Sequence, residues 1–297
     1  MFLVLLIACF VISCECFFLG RHAIATRLKQ SWKPSMSCID SATIYVKDLT
    51  KSAQFYNAAL GLAVVEDTAN AKSLVLNGDC KISLMQANPV SDDGLYDLGE
   101  GISGIGISRP SPVDVLDMAE LNGGKIILPA DEYAYAASMV PDEDEMKSFP
   151  VKYGTLQDPD NYSIEVKESG SSEAAKIVMN VEDLNDSIDF YTNTLGMALL
   201  RKRSNVYNVP KSASMVGYVG FGSETEGVFI ELLYNYATEK INLGAEQGKL
   251  HIKVDDLSAV IDRLTASNVK YSLLDEDGKN SVLTADPTGF QVQISQN

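Results

Sequence analysis

Histidine and cysteine are both scarce in this chain. Among its 297 residues there are two histidines and five cysteines, and His251 is the only histidine beyond residue 39. An iron site made of two histidines and one carboxylate is therefore excluded from the main body of the chain. Only Cys38 and Cys80 lie beyond residue 16. We expect no disulfide framework from so few cysteines.

Positive charge is also in short supply. The chain has 24 lysines and arginines against 40 acidic residues, a net charge of −16. Residues 1–39 hold four basic residues and one acidic residue, so the rest of the chain carries a net charge of −19. A surface of this sign repels nucleic acid and anionic membranes. We therefore expect no nucleic-acid partner, and no membrane in the mature form.

The N-terminal residues have the composition of targeting segments. Phe2 to Ile12 form an apolar run of eleven residues, which is too short to span a bilayer and typical of a signal-peptide core. We predict a signal peptide over residues 1–16. Residues 17–39 contain basic residues and no acid, which is typical of a transit peptide. The two segments together predict delivery to a plastid, and secretion or retention in the ER lumen is the alternative.

Two sequence landmarks each occur twice, in the same order. Asp48–Leu62 shares aspartate, leucine, serine, Phe-Tyr and Leu-Gly at the same spacing with Asp183–Met197, 135 residues later. Asp158-Pro159 recurs 128 residues later as Asp286-Pro287. Such an internal repeat predicts tandem modules. We place the first module at residues 40–168, a linker at 169–173 and the second module at 174–297.

Each copy opens with a predicted strand, Ala42–Val46 or Ile177–Val181, in which apolar residues alternate. The aspartate that follows is expected to cap a helix. The apolar residues of that helix recur at i, i+4, i+7 and i+11, which places them on one face. Further strands and one more helix follow in each copy. We therefore predict an α+β fold of two modules, each built from paired βαβββ units.

The second module carries a resemblance to a known family. Its Asp183–Tyr191, Leu195-Gly196-Met197 and Glu231-Leu-Leu-Tyr-Asn235 segments resemble the glyoxalase I (lactoylglutathione lyase) branch of the vicinal oxygen chelate (VOC) superfamily. The resemblance implies isomerisation of the glutathione–methylglyoxal hemithioacetal to S-lactoylglutathione. It also implies a divalent metal such as Ni²⁺ or Zn²⁺, which stabilises the enediolate, and a metal-bound glutamate that moves the proton.

The resemblance further implies two metal sites, each with ligands from both modules. Carried over residue by residue, the ligand positions fall into two sets: Ser41, Ser83, Lys249 and Gln293 in one, and Lys176, Glu231, Gly104 and Glu165 in the other. Only Glu165 and Glu231 are family ligands. We therefore expect that no cofactor is bound, that a metal binds through these two glutamates if at all, and that the family reaction is doubtful.

Alternatives stay open for each of these residues. Glu165 and Glu231 are the catalytic candidates, but they can instead form ion pairs with Lys176 or bind a metal weakly. Lys249 and His251 share one strand face and form either an anion-binding site or a solvated surface. The chain is accordingly a glyoxalase I-like lyase or a non-catalytic VOC binding protein for a small anionic metabolite.

Four residues are the candidates for binding a substrate: Asn235, Lys249, His251 and Lys176. Asn235 matches an asparagine that contacts glutathione in the family. The arginine that accompanies this asparagine in the family falls on Asn180 and Tyr45, so recognition of a glutathione-derived ligand is uncertain. Residues 131–149 have no counterpart in the second module, and we expect an acidic excursion in solvent or a lid.

Overall fold

The computed structural model describes residues 37–134, 150–169, 174–204, 214–225, 227–236, 238–276 and 279–297. The predicted signal peptide, the transit segment up to residue 36, most of the linker and residues 135–149 of the excursion lie outside this range. None of the helices in the described ranges is long and apolar enough to cross a membrane.

Each module combines helices with runs of short strands. The first module contains β1 Cys38–Val46, α1 Leu49–Ala58, β2 Val64–Asp67, β3 Ala71–Asn77, β4 Cys80–Gln86, β5 Ile102–Arg109, α2 Pro112–Leu121, β6 Lys125–Ala134, β7 Pro150–Gln157 and β8 Ser163–Glu168. The second contains β9 Ala175–Asn180, α3 Leu184–Asp189, β10 Ala198–Ser204, β11 Ser214–Gly220, β12 Val228–Asn235, β13 Lys249–Val254, α4 Leu257–Ala266, β14 Tyr271–Glu276, β15 Lys279–Ala285 and β16 Gln291–Gln296.

Two predicted boundaries differ from the observed ones. Strand β1 begins at Cys38, two residues before the start that we predicted for the first module. Residues 131–134 belong to β6, where Asp131 lies opposite Tyr153 of β7. The predicted excursion therefore began too early. Three consecutive polar or aromatic residues, 131–133, hid the strand, because an edge strand need not alternate apolar with polar residues.

The strands form two eight-stranded sheets, and each sheet combines half of one module with half of the other. The order is β14-β15-β16-β13-β1-β4-β3-β2 in the first sheet and β10-β11-β12-β9-β5-β8-β7-β6 in the second. At the centre of each sheet two modules meet: β1 pairs antiparallel with β13, and β5 pairs antiparallel with β9. The α+β fold of tandem modules is confirmed.

The repeated aspartates begin the first helix of each module. The Asp48 side chain accepts hydrogen bonds from the backbone N–H groups of Thr50 and Lys51, and Asp183 does the same in the second module. Each cap satisfies N–H groups that have no partner within the helix. Both predicted caps are confirmed.

Glycine ends both of these helical segments. Gly61 has φ of +70° and Gly196 has φ of +83°, a left-handed conformation that glycine adopts without strain. The second copy differs in its last turn, because Phe190–Thr194 is π-helical. The Leu195 N–H accordingly donates to the Phe190 carbonyl at 3.1 Å. The sequence pattern predicted a uniform helix here and missed this wider turn.

Each sheet has one apolar and one polar face, since successive side chains of a strand point to opposite sides. On the apolar face of the second sheet, Ile105, Ile164, Ile177 and Ile230 are at most 2% exposed and belong to the main core. Helices pack on these apolar faces. The residues predicted to form the sites occupy the alternate positions of their strands, so they lie on the polar faces.

A buried tyrosine–aspartate pair joins the two halves of each module. In the first, the Tyr56 hydroxyl of α1 donates to Asp158 at 2.9 Å. In the second, the Tyr191 hydroxyl donates to Asp286 at 3.3 Å. Burial is the main cause that raises the pKa of Asp158 to about 7 and that of Asp286 to about 6. Both aspartates also lie in the turns that precede β8 and β16, so each one holds the two halves of its module together.

Candidate functional site

A lysine bridges two carboxylates on the polar face of the second sheet. Lys176 of β9 places its Nζ 2.9 Å from Glu165 Oε1 and 2.6 Å from Glu231 Oε2. Glu165 comes from the first module and Glu231 from the second. Lys176 and Glu231 are only 7% and 6% exposed. The predicted ion pairs are confirmed, and so is the prediction that this set assembles across modules.

Gly106 makes this bridge possible. It lies on β5, directly opposite Lys176 on one neighbouring strand and beside Glu165 on the other. A Cβ atom at Gly106 would lie 2.4 Å from Cε of Lys176. The lysine side chain therefore passes over β5 at the one residue that leaves it room. Sequence reasoning missed Gly106, because a glycine in a strand shows no partner until the strand order is known.

Gly104, the fourth position of this set, has no space for a side chain. A Cβ atom there would lie 1.9 Å from the backbone oxygen of Ser163 on β8. Real Cβ atoms do not approach oxygen so closely, so any substitution requires the strand backbone to move. The position that the resemblance assigned to a metal ligand is thus closed by the backbone itself.

Aromatic and basic side chains surround the bridge. Burial raises the pKa of Tyr153, and the negative charge of Glu165 adds to this effect, while Arg203 and Lys176 oppose it. Arg203 is 4% exposed. Its guanidinium carbon lies 5.4 Å from the ring centroid of Tyr218, close enough for a cation–π contact. We did not predict that this arginine would be buried.

Beside Lys249, the polar face of the first sheet supplies neutral hydrogen-bond partners. Lys249 Nζ donates to Gln293 Oε1 at 3.1 Å, and Gln293 Nε2 donates to the Ser281 hydroxyl at 3.1 Å. The hydroxyls of Ser73 and Ser83 lie 3.1 Å apart. The residues of the first predicted set therefore share one face, and Lys249 contacts Gln293 directly.

His251 lies on the same face as Lys249. It is two residues further along β13, and it pairs with Ser41 of β1 in the antiparallel register. Side chains at paired positions of adjacent strands point to the same side. The prediction that Lys249 and His251 share a face is confirmed by this register. Their role in binding remains a prediction.

The residues predicted to contact glutathione lie at strand ends. Asn235 is the last residue of β12 and lies opposite Ser214. Of the two residues at the arginine positions, Asn180 donates to the Glu100 carbonyl at 2.8 Å. The Tyr45 carbonyl accepts from the Tyr162 hydroxyl at 2.9 Å. Neither residue supplies a cation, and the role of Asn235 remains a prediction.

Comparison with known proteins decides the family. The model of the glyoxalase/bleomycin resistance protein/dioxygenase superfamily matches residues 38–166 and again residues 174–294. The chain belongs to this superfamily. It is a tandem, glyoxalase I-like VOC protein, as the repeat and the crossed sheets had indicated.

Curated relatives are lactoylglutathione lyases. The protein of that name from Escherichia coli O157:H7 is 34% identical over 121 residues, which is 39% of this chain and 87% of that protein. A probable chloroplastic lactoylglutathione lyase of Arabidopsis thaliana is 34% identical over 122 residues, which is 40% of this chain and 34% of that protein. Each alignment thus covers about the length of one module.

Solved structures agree on the fold. Glyoxalase I from Zea mays superposes with a TM-score of 0.68 at 21% identity and covers 88% of this VOC chain and 93% of its own. At this identity the likeness concerns the fold alone. Within the described residues, no group of three or more His, Cys, Asp or Glu side chains is placed to hold a metal ion.

Proposed function

We propose that this protein is a glyoxalase I-like small-molecule binder that does not carry out the metal-dependent isomerisation of its relatives. The observation that carries the proposal is the Lys176 ammonium, 2.9 Å from Glu165 and 2.6 Å from Glu231. This ammonium occupies the place that the resemblance assigns to one ligand. It also neutralises the two carboxylates that are left to bind a metal.

The chemistry of the donor set does not fit a divalent metal. A protonated lysine has no lone pair to donate, and its charge repels a dication. Gly104 cannot supply a ligand, because a Cβ atom there would lie 1.9 Å from the Ser163 oxygen. Without a metal, the enediolate would lose its main source of stabilisation. Lys176 offers one positive charge, which Glu165 and Glu231 already use.

The first sheet offers even less to a metal. Its set contains Ser41, Ser83, Gln293 and Lys249, and none of them is anionic. Amide and hydroxyl oxygens without any carboxylate bind divalent cations weakly. The donor types at these positions therefore support ligand binding on the two polar faces rather than metal-dependent lyase activity.

The relatives' name makes a glutathione conjugate the first ligand class to test. Asn235 is the one predicted glutathione contact that the sequence keeps. Asn180 and Tyr45 stand where the resemblance places an arginine, and neither can form a bidentate ion pair with a carboxylate. We expect any such conjugate to bind more weakly than an arginine-containing site would allow.

Metal loading and turnover together test the proposal. The purified full-length protein should be equilibrated with Ni²⁺ or Zn²⁺, analysed for bound metal, and assayed for S-lactoylglutathione formation from the hemithioacetal. We expect neither stoichiometric metal nor turnover. Lys176→His should gain metal affinity, because an imidazole would replace the ammonium between two carboxylates. Lys72→His is the matched control, because Lys72 pairs with a single carboxylate, Asp67, on the other sheet.

The proposal fails if the wild-type protein binds stoichiometric metal and turns over the hemithioacetal, with Glu231→Gln abolishing turnover. A second outcome would also count against it: measurable metal binding with the same affinity in the wild-type protein and Lys176→His. Either result would mean that Lys176 leaves the carboxylates when a metal arrives.

We also propose that the protein is imported into a plastid. The support is the two-part composition of residues 1–39 and the chloroplastic name of the Arabidopsis relative. Fusing residues 1–39 to a fluorescent protein tests this. Fluorescence confined to the ER or the medium would favour the secretory alternative.

A further inference from the structure

The two sheets are equivalent strand by strand, so their polar faces can be compared position by position. Strand β1 corresponds to β9, β4 to β12, and β16 to β8. Ser83 thus takes the place of Glu231, and Gln293 takes the place of Glu165. Each carboxylate of the second sheet is replaced by a neutral group on the first. Both sheets nevertheless carry a lysine among these positions.

Lys249 is held by a neutral partner. Its Nζ donates to Gln293 Oε1 at 3.1 Å. The orientation of that amide is fixed, because its Nε2 donates to Ser281 and the side chain is only 6% exposed. Lys249 forms no ion pair with any carboxylate in the described ranges. Lys253 lies on the same strand as Lys249 but differs from it, because its Nζ lies 2.6 Å from Asp40 Oδ1.

A partly buried ammonium with only a neutral acceptor favours an anion beside it. Charges inside a protein are normally paired, because the loss of hydration is otherwise uncompensated. On the second sheet Glu165 and Glu231 supply this compensation. On the first sheet no carboxylate of the described residues forms an ion pair with Lys249. Glu66, on the same face, binds Ser73 and Lys81 instead.

We propose that the first sheet binds a small hydroxylated carboxylate through Lys249. The carboxylate takes the position beside the ammonium and forms a charge-assisted hydrogen bond. His251, on the same face and opposite Ser41, adds a second nitrogen. The serine hydroxyls and the Gln293 amide are suited to hydroxyl groups of the ligand. This site goes beyond the function proposed for the Lys176 cluster, and either proposal can fail without the other.

Calorimetric titration of the full-length protein with D-glycerate and with glycerol tests the site. The two probes share a three-carbon skeleton, and only glycerate has a carboxylate. We expect heat of binding with glycerate and none with glycerol. Lys249→Gln should weaken glycerate binding by about tenfold or more, since a charge-assisted hydrogen bond is lost. Lys253→Gln, which removes a lysine already paired with Asp40, should leave the affinity within about twofold.

A second variant keeps Lys249 but gives its ammonium a carboxylate partner from the protein itself. Gln293→Glu would place a carboxylate where the second sheet has Glu165, and the ammonium would then be neutralised from within. We expect this variant to fold and to lose glycerate binding. The proposal is overturned if the wild-type protein binds no glycerate, if glycerol binds equally well, or if Lys249→Gln and Gln293→Glu both keep the wild-type affinity.

Discussion

The bridge between Lys176 and its two carboxylates makes a strong prediction about stability. Lys176→Met removes the charge and keeps most of the side-chain volume. Glu165 and Glu231 then lose the ammonium that lies between them, and Glu231 has a side chain that is only 7% exposed. Breaking a buried ion pair in this way costs about 3–5 kcal/mol. The Glu165 side chain is 22% exposed, so we expect the lower end, about 3 kcal/mol.

Urea unfolding at pH 7 measures this loss. With a slope of about 3 kcal/mol per molar urea, the midpoint should fall by about 1 M. Adding Zn²⁺ or Ni²⁺ should restore stability to Lys176→Met, by about 2.7 kcal/mol at a hundred times the dissociation constant. The same ions should leave the wild-type midpoint unchanged, because there the ammonium already neutralises the carboxylates.

A triple variant separates charge from packing. Combining Lys176→Met with Glu165→Gln and Glu231→Gln removes all three charges and keeps the shapes. Neutral replacement of a buried ion cluster is often tolerated, so we expect a midpoint close to that of the wild-type protein. The reasoning is refuted if Lys176→Met costs less than about 1 kcal/mol, or if the triple variant is as unstable as the single one.

Three further predictions concern the scaffold. Burial raises the pKa of Asp158 to about 7, above its unfolded value, so its contribution to stability is present at low pH and lost as pH rises towards 7. Urea unfolding from pH 4 to pH 8 should show this decline in the wild-type protein. The Asp158→Asn variant should lack the part of the decline that comes from this carboxyl. Tyr56→Phe leaves this carboxyl without its hydroxyl donor and should cost about 1–3 kcal/mol, with a smaller loss at pH 5 than at pH 8. Gly104→Ala should reduce the free energy of unfolding by about 2 kcal/mol or more, because its Cβ would lie 1.9 Å from a backbone oxygen. Gly61→Ala has nothing within 4 Å of its Cβ. It should cost only about 1 kcal/mol, which is the strain of the left-handed backbone. Thermal unfolding compares the two glycine variants, and equal losses would contradict the steric explanation.

The sequence predicted the scaffold because its local signals repeat. Asp48 and Asp183 cap helices, and Gly61 and Gly196 end them, through interactions within a few residues. The pairing of Lys176 with Glu165 and Glu231 was also predictable, since aligning the repeats with the family placed all three in one set. A buried lysine between carboxylates is then expected to form ion pairs.

Other features depend on the order of strands, which the sequence pattern does not reveal. Gly106 matters only because β5 lies between β8 and β9, where a lysine has to cross it. The burial of Arg203 on β10 and the pairing of Tyr56 with Asp158 likewise join residues far apart in the chain. Local propensity carries no information about such contacts, and so these contacts were not predicted.

The most direct test of the account is the position of nickel in crystals grown from the full-length protein with excess Ni²⁺. Diffraction at the nickel absorption edge would reveal any bound ion as a peak in the anomalous difference map. We predict no peak between Glu165 and Glu231, with the Lys176 ammonium in density between them. A strong peak at that place, with the Lys176 side chain turned away, would contradict the central claim.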